Sequence, residues 1–240
     1  GCRSRLTGGI KEAKAGGTFG FALGQLSIAG FTLNGGCNEW SIIHIALDGS
    51  VNFSPADDYL GLSNFACAAK LHKEFGKKVS LGLCGPVGEY QGLLSGISFS
   101  DTDLRPARLA ARGGVGAVMG VKKGKAIVVD LNRMPDLHDR KKVIGAVKKY
   151  NALLKDDEIA QNMKLYGTAL MADTQNYLGG LPTRNFSSGR LVDTDQEGFR
   201  LGGEFIREQN TERGGETAHA CMPGCTIECR NVDGDTDGKE

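Results

Sequence analysis

Thirty-six glycines in 240 residues, well above the usual share of about 7%, set the tightest limit on what this chain can fold into. They form no low-complexity tract. They fall where apolar runs end, most densely in Arg112-Gly-Gly-Val-Gly-Ala-Val-Met-Gly120 and in Gly179-Gly-Leu-Pro-Thr-Arg-Asn-Phe186, with a smaller cluster at Ala15-Gly-Gly-Thr-Phe-Gly20. A residue without a Cβ permits tight turns and close approaches of backbone to backbone or backbone to ligand. Arg112, followed by Gly-Gly-x-Gly, combines N–H donors with one permanent cation, a pairing suited to a phosphate or a polar heterocycle. Arg105 and Arg108 add charge just upstream. The string fits neither the dinucleotide fingerprint nor the Walker pattern. A glycine turn that packs a helix on a sheet explains it equally well.

The coarse organisation is α+β. Trp40–Leu47 reads as a strand, with Asp48-Gly49 turning the chain into Ser50–Ser54. Ser63–Phe75 fits a helix with Phe65, Ala68, Ala69, Leu71 and Phe75 inward and Gly76 at its end. Val79–Cys84 and Lys125–Asp130 read as further strands. Beyond Pro135 the pattern turns helical: Asp136 can cap a helix through Tyr150, with Val143, Ile144 and Val147 on one face, and Asp156 or Asp157 can start another through Leu165. A third short helix is expected to end near Tyr177. These elements place a β-rich domain at 1–132 and the start of a mostly helical domain at 133–240. Both termini read as interior to a longer protein.

Lys plus Arg number 29 against 28 acidic residues, so net charge argues for neither nucleic acid nor an anionic membrane. No apolar stretch reaches the roughly 18 residues of a membrane span, and no secretory signal is visible. Seven cysteines make an odd count. Cys2, Cys37, Cys67 and Cys84 read as inert small hydrophobes rather than a disulfide framework, consistent with a reduced, cytoplasmic setting. Cys221, Cys225 and Cys229 are different: Pro223 and Gly224 bend the chain between them, so three thiolates can converge on one centre. A [4Fe–4S] cube or a tetrahedral zinc needs four ligands, or three and an outside one. His219 reads as a hydrogen-bonding residue rather than a ligand. The first gap matches the radical-SAM trio but the second, three residues rather than two, does not, and a zinc or iron–sulfur interaction module is the non-enzymatic alternative.

Ser4-Arg-Leu-Thr-Gly8, Ala15–Gly20, Gly85-Pro-Val-Gly-Glu89, Ala111–Gly120 and Lys125-Ala-Ile127 resemble the N-terminal domain of the aldehyde ferredoxin oxidoreductase family. Gly180-Leu-Pro-Thr-Arg-Asn-Phe186 and the cysteine trio resemble its second domain, in the same order. The resemblance implies a tungsten or molybdenum bis-pyranopterin, a neighbouring [4Fe–4S] cluster and, as a candidate bridge between the pterin phosphates, Mg2+. It implies oxidation of a small aldehyde-type substrate, with electrons passed to ferredoxin or another iron–sulfur carrier. Ala15, Gly16 and Gly17 would face one pterin phosphate. Arg108, Leu109, Ala110, Ala111, Arg112 and Gly113 would hold the other, and Cys221, Cys225 and Cys229 would ligate the cluster. The three-residue gap between Cys221 and Cys225, two in many members, reads as a subfamily variant. The fourth cluster ligand, the substrate pocket and the acid–base residues would come from the remaining part of the enzyme or a complementing chain. Asp101, Asp103 and Glu89 read as solvated or capping carboxylates. An inactive fragment of the family is the competing reading.

Overall fold

Val79–Cys84 is buried at every position, and Gly124–Val129 likewise, the burial expected of strands covered on both faces. These two runs sit side by side at the heart of the first of two compact units, Gly1–Asp136 and Leu137–Glu240. The computed structural model describes residues 1–193, 198–232 and 234–237. In the first unit the chain runs β1 (Cys2–Arg3), β2 (Ile10–Lys11), α1 (Phe19–Gln25), β3 (Ser41–Ile45), β4 (Val51–Pro55), α2 (Asn64–Phe75), β5 (Val79–Cys84), α3 (Pro86–Glu89), β6 (Ile97–Phe99), β7 (Arg108–Ala110), α4 (Val115–Val121) and β8 (Gly124–Asp130). The main sheet has the order β4-β3-β8-β5-β6-β7. Only β3 and β8 are parallel, and β5, β6 and β7 form an antiparallel run.

Period-two alternation sends Val79, Leu81, Leu83, Ala126 and Val128 to one face, where Cys67, Ala68 and Leu71 of α2 cover them. Ile43, Ile45, Ile127 and Val129 point to the other face, against Ala22 of α1 and Met119 of α4. Helix α2 starts where Ser63 Oγ accepts the Ala66 N–H at 3.2 Å and stops at Gly76. Its inward stripe corrects the expected one: Cys67 is buried, whereas Phe65 is 61% exposed and Ala69 is exposed. Positions 67, 68 and 71 follow the i, i+1, i+4 spacing of one face, and Phe65 lies well round the helix from it.

The glycines of 112–120 do not form an open loop. A 3-10 turn at Arg112–Gly114 leads directly into α4. A Cβ on Gly120 would run into the Gly88 carbonyl oxygen, and one on Gly116 into the Gly96 carbonyl. These glycines let a helix lie against the backbone that follows β5.

The second unit contains α5 (Arg140–Asp156), α6 (Glu158–Tyr166), α7 (Leu170–Leu178), α8 (Gly203–Glu212) and a two-stranded ribbon, β9 (Ala218–His219) with β10 (Arg230–Asn231). The cap of α5 is Asp139, whose Oδ1 accepts the Lys142 N–H at 2.9 Å, rather than the expected Asp136. The apolar periodicity begins only at Val143, so nothing draws the helix start three residues earlier. Asp157 caps α6 by accepting the Ala160 N–H at 2.7 Å. No described helix is long and apolar enough to cross a membrane.

Gly120→Ala is expected to destabilise the protein by about 1–3 kcal/mol, the usual cost of overpacking. Gly145→Ala in α5, where nothing lies within 4 Å of the added methyl, is expected to stabilise by up to about 1 kcal/mol through helix propensity. Urea unfolding of the two variants beside the parent checks both signs.

Candidate cofactor site

Two segments far apart in sequence meet at one end of the sheet in the first unit. The turn before α1 is tied down at Thr18, whose N–H donates to the Ser100 carbonyl at 2.9 Å while its hydroxyl lies 2.7 Å from Ser80 Oγ. Ser80 and Ser100 are fully buried, and Ser100 Oγ accepts the Leu81 N–H at 3.0 Å. Gly17, at φ +101°, sits against the Ser100 carbonyl with the alkyl stem of Arg108 alongside. A side chain at position 17 would collide with that carbonyl, so the backbone there is as close to the residue following β6 as sterics allow. Ala15 is exposed, Gly16 half-buried and Gly17 buried.

Arg108, Leu109 and Ala110 form β7, one of the two edge strands of the main sheet. Alternation buries Arg108 and Ala110 and turns Leu109 outward. Ala111 and Arg112 are exposed and Gly113 is half-buried. Gly113 is covered by the Lys11 stem and by Ser4, whose hydroxyl donates to the Gly113 carbonyl at 2.7 Å. The structure therefore places the Gly17 turn beside Arg108 and draws Lys11 onto Gly113. Sequence reading quoted Ser4 and Thr18 only inside longer motifs and did not mark Lys11, Ser80 or Ser100. Polar residues inside otherwise apolar strands, Ser80 above all, were the available signal.

The carboxylates nearby hold structure. Asp101 is fully buried: its Oδ1 accepts the N–H groups of Asp103 and Arg105, both at 2.9 Å, and its Oδ2 accepts Arg105 Nε at 3.2 Å. Asp103 pairs with Arg105 at 2.9 Å. Glu89 pairs with Lys125, which has no exposed side chain and also donates to the Cys84 carbonyl at 2.9 Å. Burial pushes the Cys84 thiol up to about 12, with the Lys125 charge pulling the other way. Burial likewise raises Cys67.

In the second unit the segment bearing Cys221, Cys225 and Cys229 is largely outside regular structure, and all three are half-buried cysteines outside any disulfide. Cys225 N–H donates to the Met222 carbonyl at 3.2 Å, and Glu228 N–H donates to Cys225 Sγ at 3.4 Å. Glu228 reaches that sulfur from a left-handed backbone, φ 54°. Lys164 of α6 pairs with Glu228 Oε2 at 3.1 Å, and Thr168 donates its N–H and hydroxyl to the Cys229 carbonyl at 2.9 and 3.1 Å. Asn231 donates to the Tyr166 carbonyl at 2.8 Å and accepts the Ala169 N–H at 2.9 Å. Burial raises the Cys225 thiol, but the N–H groups of Glu228, Cys221 and Ile227 and the Cys221 thiol outweigh it and hold it below the usual range. Among the described residues the three sulfurs do not all lie within 4.8 Å of one another. Three thiolates on one tetrahedral zinc would stand about 3.8 Å apart, given its bond length. An N–H donor aimed at a sulfur offsets thiolate charge in a zinc site and in an iron–sulfur site alike.

The Gly180–Phe186 motif, also in the second unit, is a closed loop. Thr183 and Ser188 bridge its ends, and Arg184, Asn185 and Phe186 follow one another at φ 49°, 54° and 64°. Three successive non-glycine residues in this region are rare. They leave Phe186 80% exposed. The loop is anchored behind by fully buried Asn176, whose Oδ1 accepts the Leu191 N–H at 2.8 Å, and by Arg190, which donates to the Asn176 and Tyr177 carbonyls at the end of α7.

Comparison with known proteins finds one enzyme family along both units. Residues 1–131 match the aldehyde ferredoxin oxidoreductase N-terminal domain, and residues 145–240 match domains 2 and 3 of the same enzymes. The chain belongs to the aldehyde ferredoxin oxidoreductase family. It is 30% identical over 242 residues to the tungsten-containing aldehyde ferredoxin oxidoreductase of Pyrococcus furiosus, a match covering 99% of this chain and 38% of that protein. The Thermococcus kodakarensis enzyme of the same name is 31% identical over 225 residues, covering 93% of this chain and 35% of its own length. The chain thus spans little more than a third of the curated relatives it matches. Among solved structures, the active-site complex BamBC of benzoyl coenzyme A reductase, in complex with 1,5-dienoyl-CoA, superposes with a TM-score of 0.66 at 20% identity over 90% of this chain and 33% of that one. That likeness is one of fold.

Native-state labelling of the metal-free chain with iodoacetamide near neutral pH is expected to modify Cys225 and to spare Cys67 and Cys84 until the protein unfolds. Cys84 titrates above its ordinary value of 9.0 when folded. Its contribution to stability is therefore whole below pH 9 and falls away as pH rises from there toward about 12. Mass spectrometry of the labelled peptides, and Cys84→Ala compared with the parent across that window, check the two statements.

Proposed function

We propose that this chain is the cofactor-holding portion of an oxidoreductase that converts an aldehyde or related carbonyl compound to the acid. The cofactor would be a tungsten or molybdenum bis-pyranopterin, with electrons leaving through a [4Fe–4S] cluster to a ferredoxin-type carrier in the cytoplasm. The observation that carries this reading is the seating of Gly17 against Arg108, which brings together a backbone cradle without side chains and a permanent cation beside an edge strand. When bound, the metal–pterin group supplies the oxygen-transfer and redox chemistry.

The chain's own residues would do the rest. Ala15, Gly16 and Gly17 offer backbone at close range to one phosphate-bearing arm. Arg108 and Arg112 neutralise phosphate charge, Arg108 from a buried position where a guanidinium is worth most. β7 ends the sheet, so its outer side carries main-chain donors and acceptors that no strand of the sheet pairs. Cys221, Cys225 and Cys229 would hold the cluster, with Glu228 N–H on Cys225 Sγ offsetting thiolate charge. Mg2+ between phosphates, the fourth cluster ligand and the substrate pocket belong to the same reading, the last two supplied by polypeptide equivalent to the rest of the relatives.

Elemental analysis of anaerobically purified protein from its native host tests this. Tungsten or molybdenum together with iron is the expected result, and zinc alone or no metal would overturn it. In the same preparation Cys225→Ser is expected to lose most of its iron while keeping its helical circular dichroism.

A further inference from the structure

Helix α5 buries no residue. Val143, Ile144, Val147 and Tyr150 are 41%, 41%, 51% and 61% exposed, and with half-buried Leu154 they form one apolar stripe at helical spacing. The charges on the helix are lopsided: Arg140, Lys141, Lys142, Lys148, Lys149 and Lys155 against Asp156 alone. The whole chain carries only +1, so the remainder is acidic in net. At about 100° per residue, Lys141, Lys148 and Lys155 run along one border of the stripe and Lys142 and Lys149 along the other. The last turn of α5 is also the part nearest the cysteine segment. Asn151, Leu154 and Lys155 share a cavity of about 230 Å³ with Thr226 and Ile227, which lie between Cys225 and Cys229.

We propose that α5 is the docking surface for an acidic iron–sulfur electron carrier. The identity of the partner rests on the function proposed above; the surface stands on the helix itself. A narrow apolar stripe bordered by two lysine rows is complementary to an apolar patch rimmed by carboxylates, the arrangement that gives steering at long range and a dry contact at short range. A second copy of this chain is disfavoured as occupant, because two such helices face each other lysine to lysine. A nucleic-acid backbone would satisfy the lysines and leave the stripe uncovered. A carrier seated on α5 would come to rest beside the Thr226–Ile227 end of the cysteine segment. Electron transfer from a cluster held there needs that proximity.

The test is binding of an oxidised, acidic [4Fe–4S] ferredoxin to the full chain, measured by biolayer interferometry at low and at high salt, with iron assayed in the same preparation. The expected result is binding that weakens as salt rises. Lys148→Glu with Lys149→Glu should weaken it at least about tenfold and flatten the salt dependence, and Val143→Ser with Val147→Ser should weaken it at unchanged salt dependence. All four positions are exposed, so folding is retained, and Lys73→Glu with Lys77→Glu in the first unit should leave binding as it was. Absence of binding at low salt, or equal binding by the charge-reversed chain, overturns the proposal. So does co-sedimentation with phosphatidylserine–phosphatidylcholine vesicles in place of ferredoxin binding. Iron present without α5-dependent binding defeats the docking surface alone. Binding through α5 in a chain that never holds iron defeats the cofactor reading and leaves the surface standing.

Discussion

Backbone meets backbone in the first unit at distances that no Cβ would tolerate. Gly120 of α4 rests on the carbonyl of Gly88, and Gly17 rests on the carbonyl of Ser100. The first contact lets α4 settle over the turn that follows β5, and Met119 enters the core from there. The second holds the 15–18 turn against the end of the sheet, where the buried hydroxyls of Ser80 and Ser100 receive it. Together they set where the Arg112–Gly113 corner and the edge of β7 stand relative to the Gly17 turn. Cation placement therefore depends on uncharged, side-chain-free positions elsewhere. The stem of Arg108 lies where it does because glycine at 17 leaves room for it.

Much of this was legible in the residues themselves. Val79–Cys84 could be read directly as a strand because a six-residue, apolar-rich run between Lys78 and Gly85 is too short for a helix, and all six positions are buried. Ser63 and Gly76 bracketed α2 for the same kind of reason, a hydroxyl cap at one end and a left-handed glycine at the other. By contrast β6, β7 and α1 were not legible. Each is short, and its signal comes from partners distant in sequence: β7 is a strand because β6 lies beside it, not because Arg-Leu-Ala favours one. The glycines of 112–120 were ambiguous for a related reason. A cradle and a close-packed helix ask for the same residues, and only the location of the Gly88 and Gly96 carbonyls separates them.

The two candidate binding regions are built on different physical plans. In the first unit, main-chain approach and hydroxyl contacts position the segments, so side-chain identity at the surface matters little except for the arginines. In the second, the cysteine segment has almost no regular structure of its own and is stitched to neighbours by Lys164, Thr168 and Asn231. Those stitching residues carry no pattern that marks them in sequence; they became visible only once α6 and the β9–β10 ribbon were placed. The family match, extending over both units, ties the two plans to one enzyme type.

The place of β8 in the sheet has a consequence for how the polypeptide is made. It is the last strand of the first unit to be synthesised, yet it lies between β3 and β5 and joins two otherwise separate pieces, β4-β3 and β5-β6-β7. Until residues 124–130 have left the ribosome, Ile43, Ile45, Leu81 and Leu83 line pieces whose central partner does not exist. Non-local pairing of this kind is slow, and apolar edges left waiting invite aggregation. Translation pauses after β8, or chaperone capture of the nascent chain before it, would thus govern the yield of folded protein more strongly than changes anywhere in the second unit.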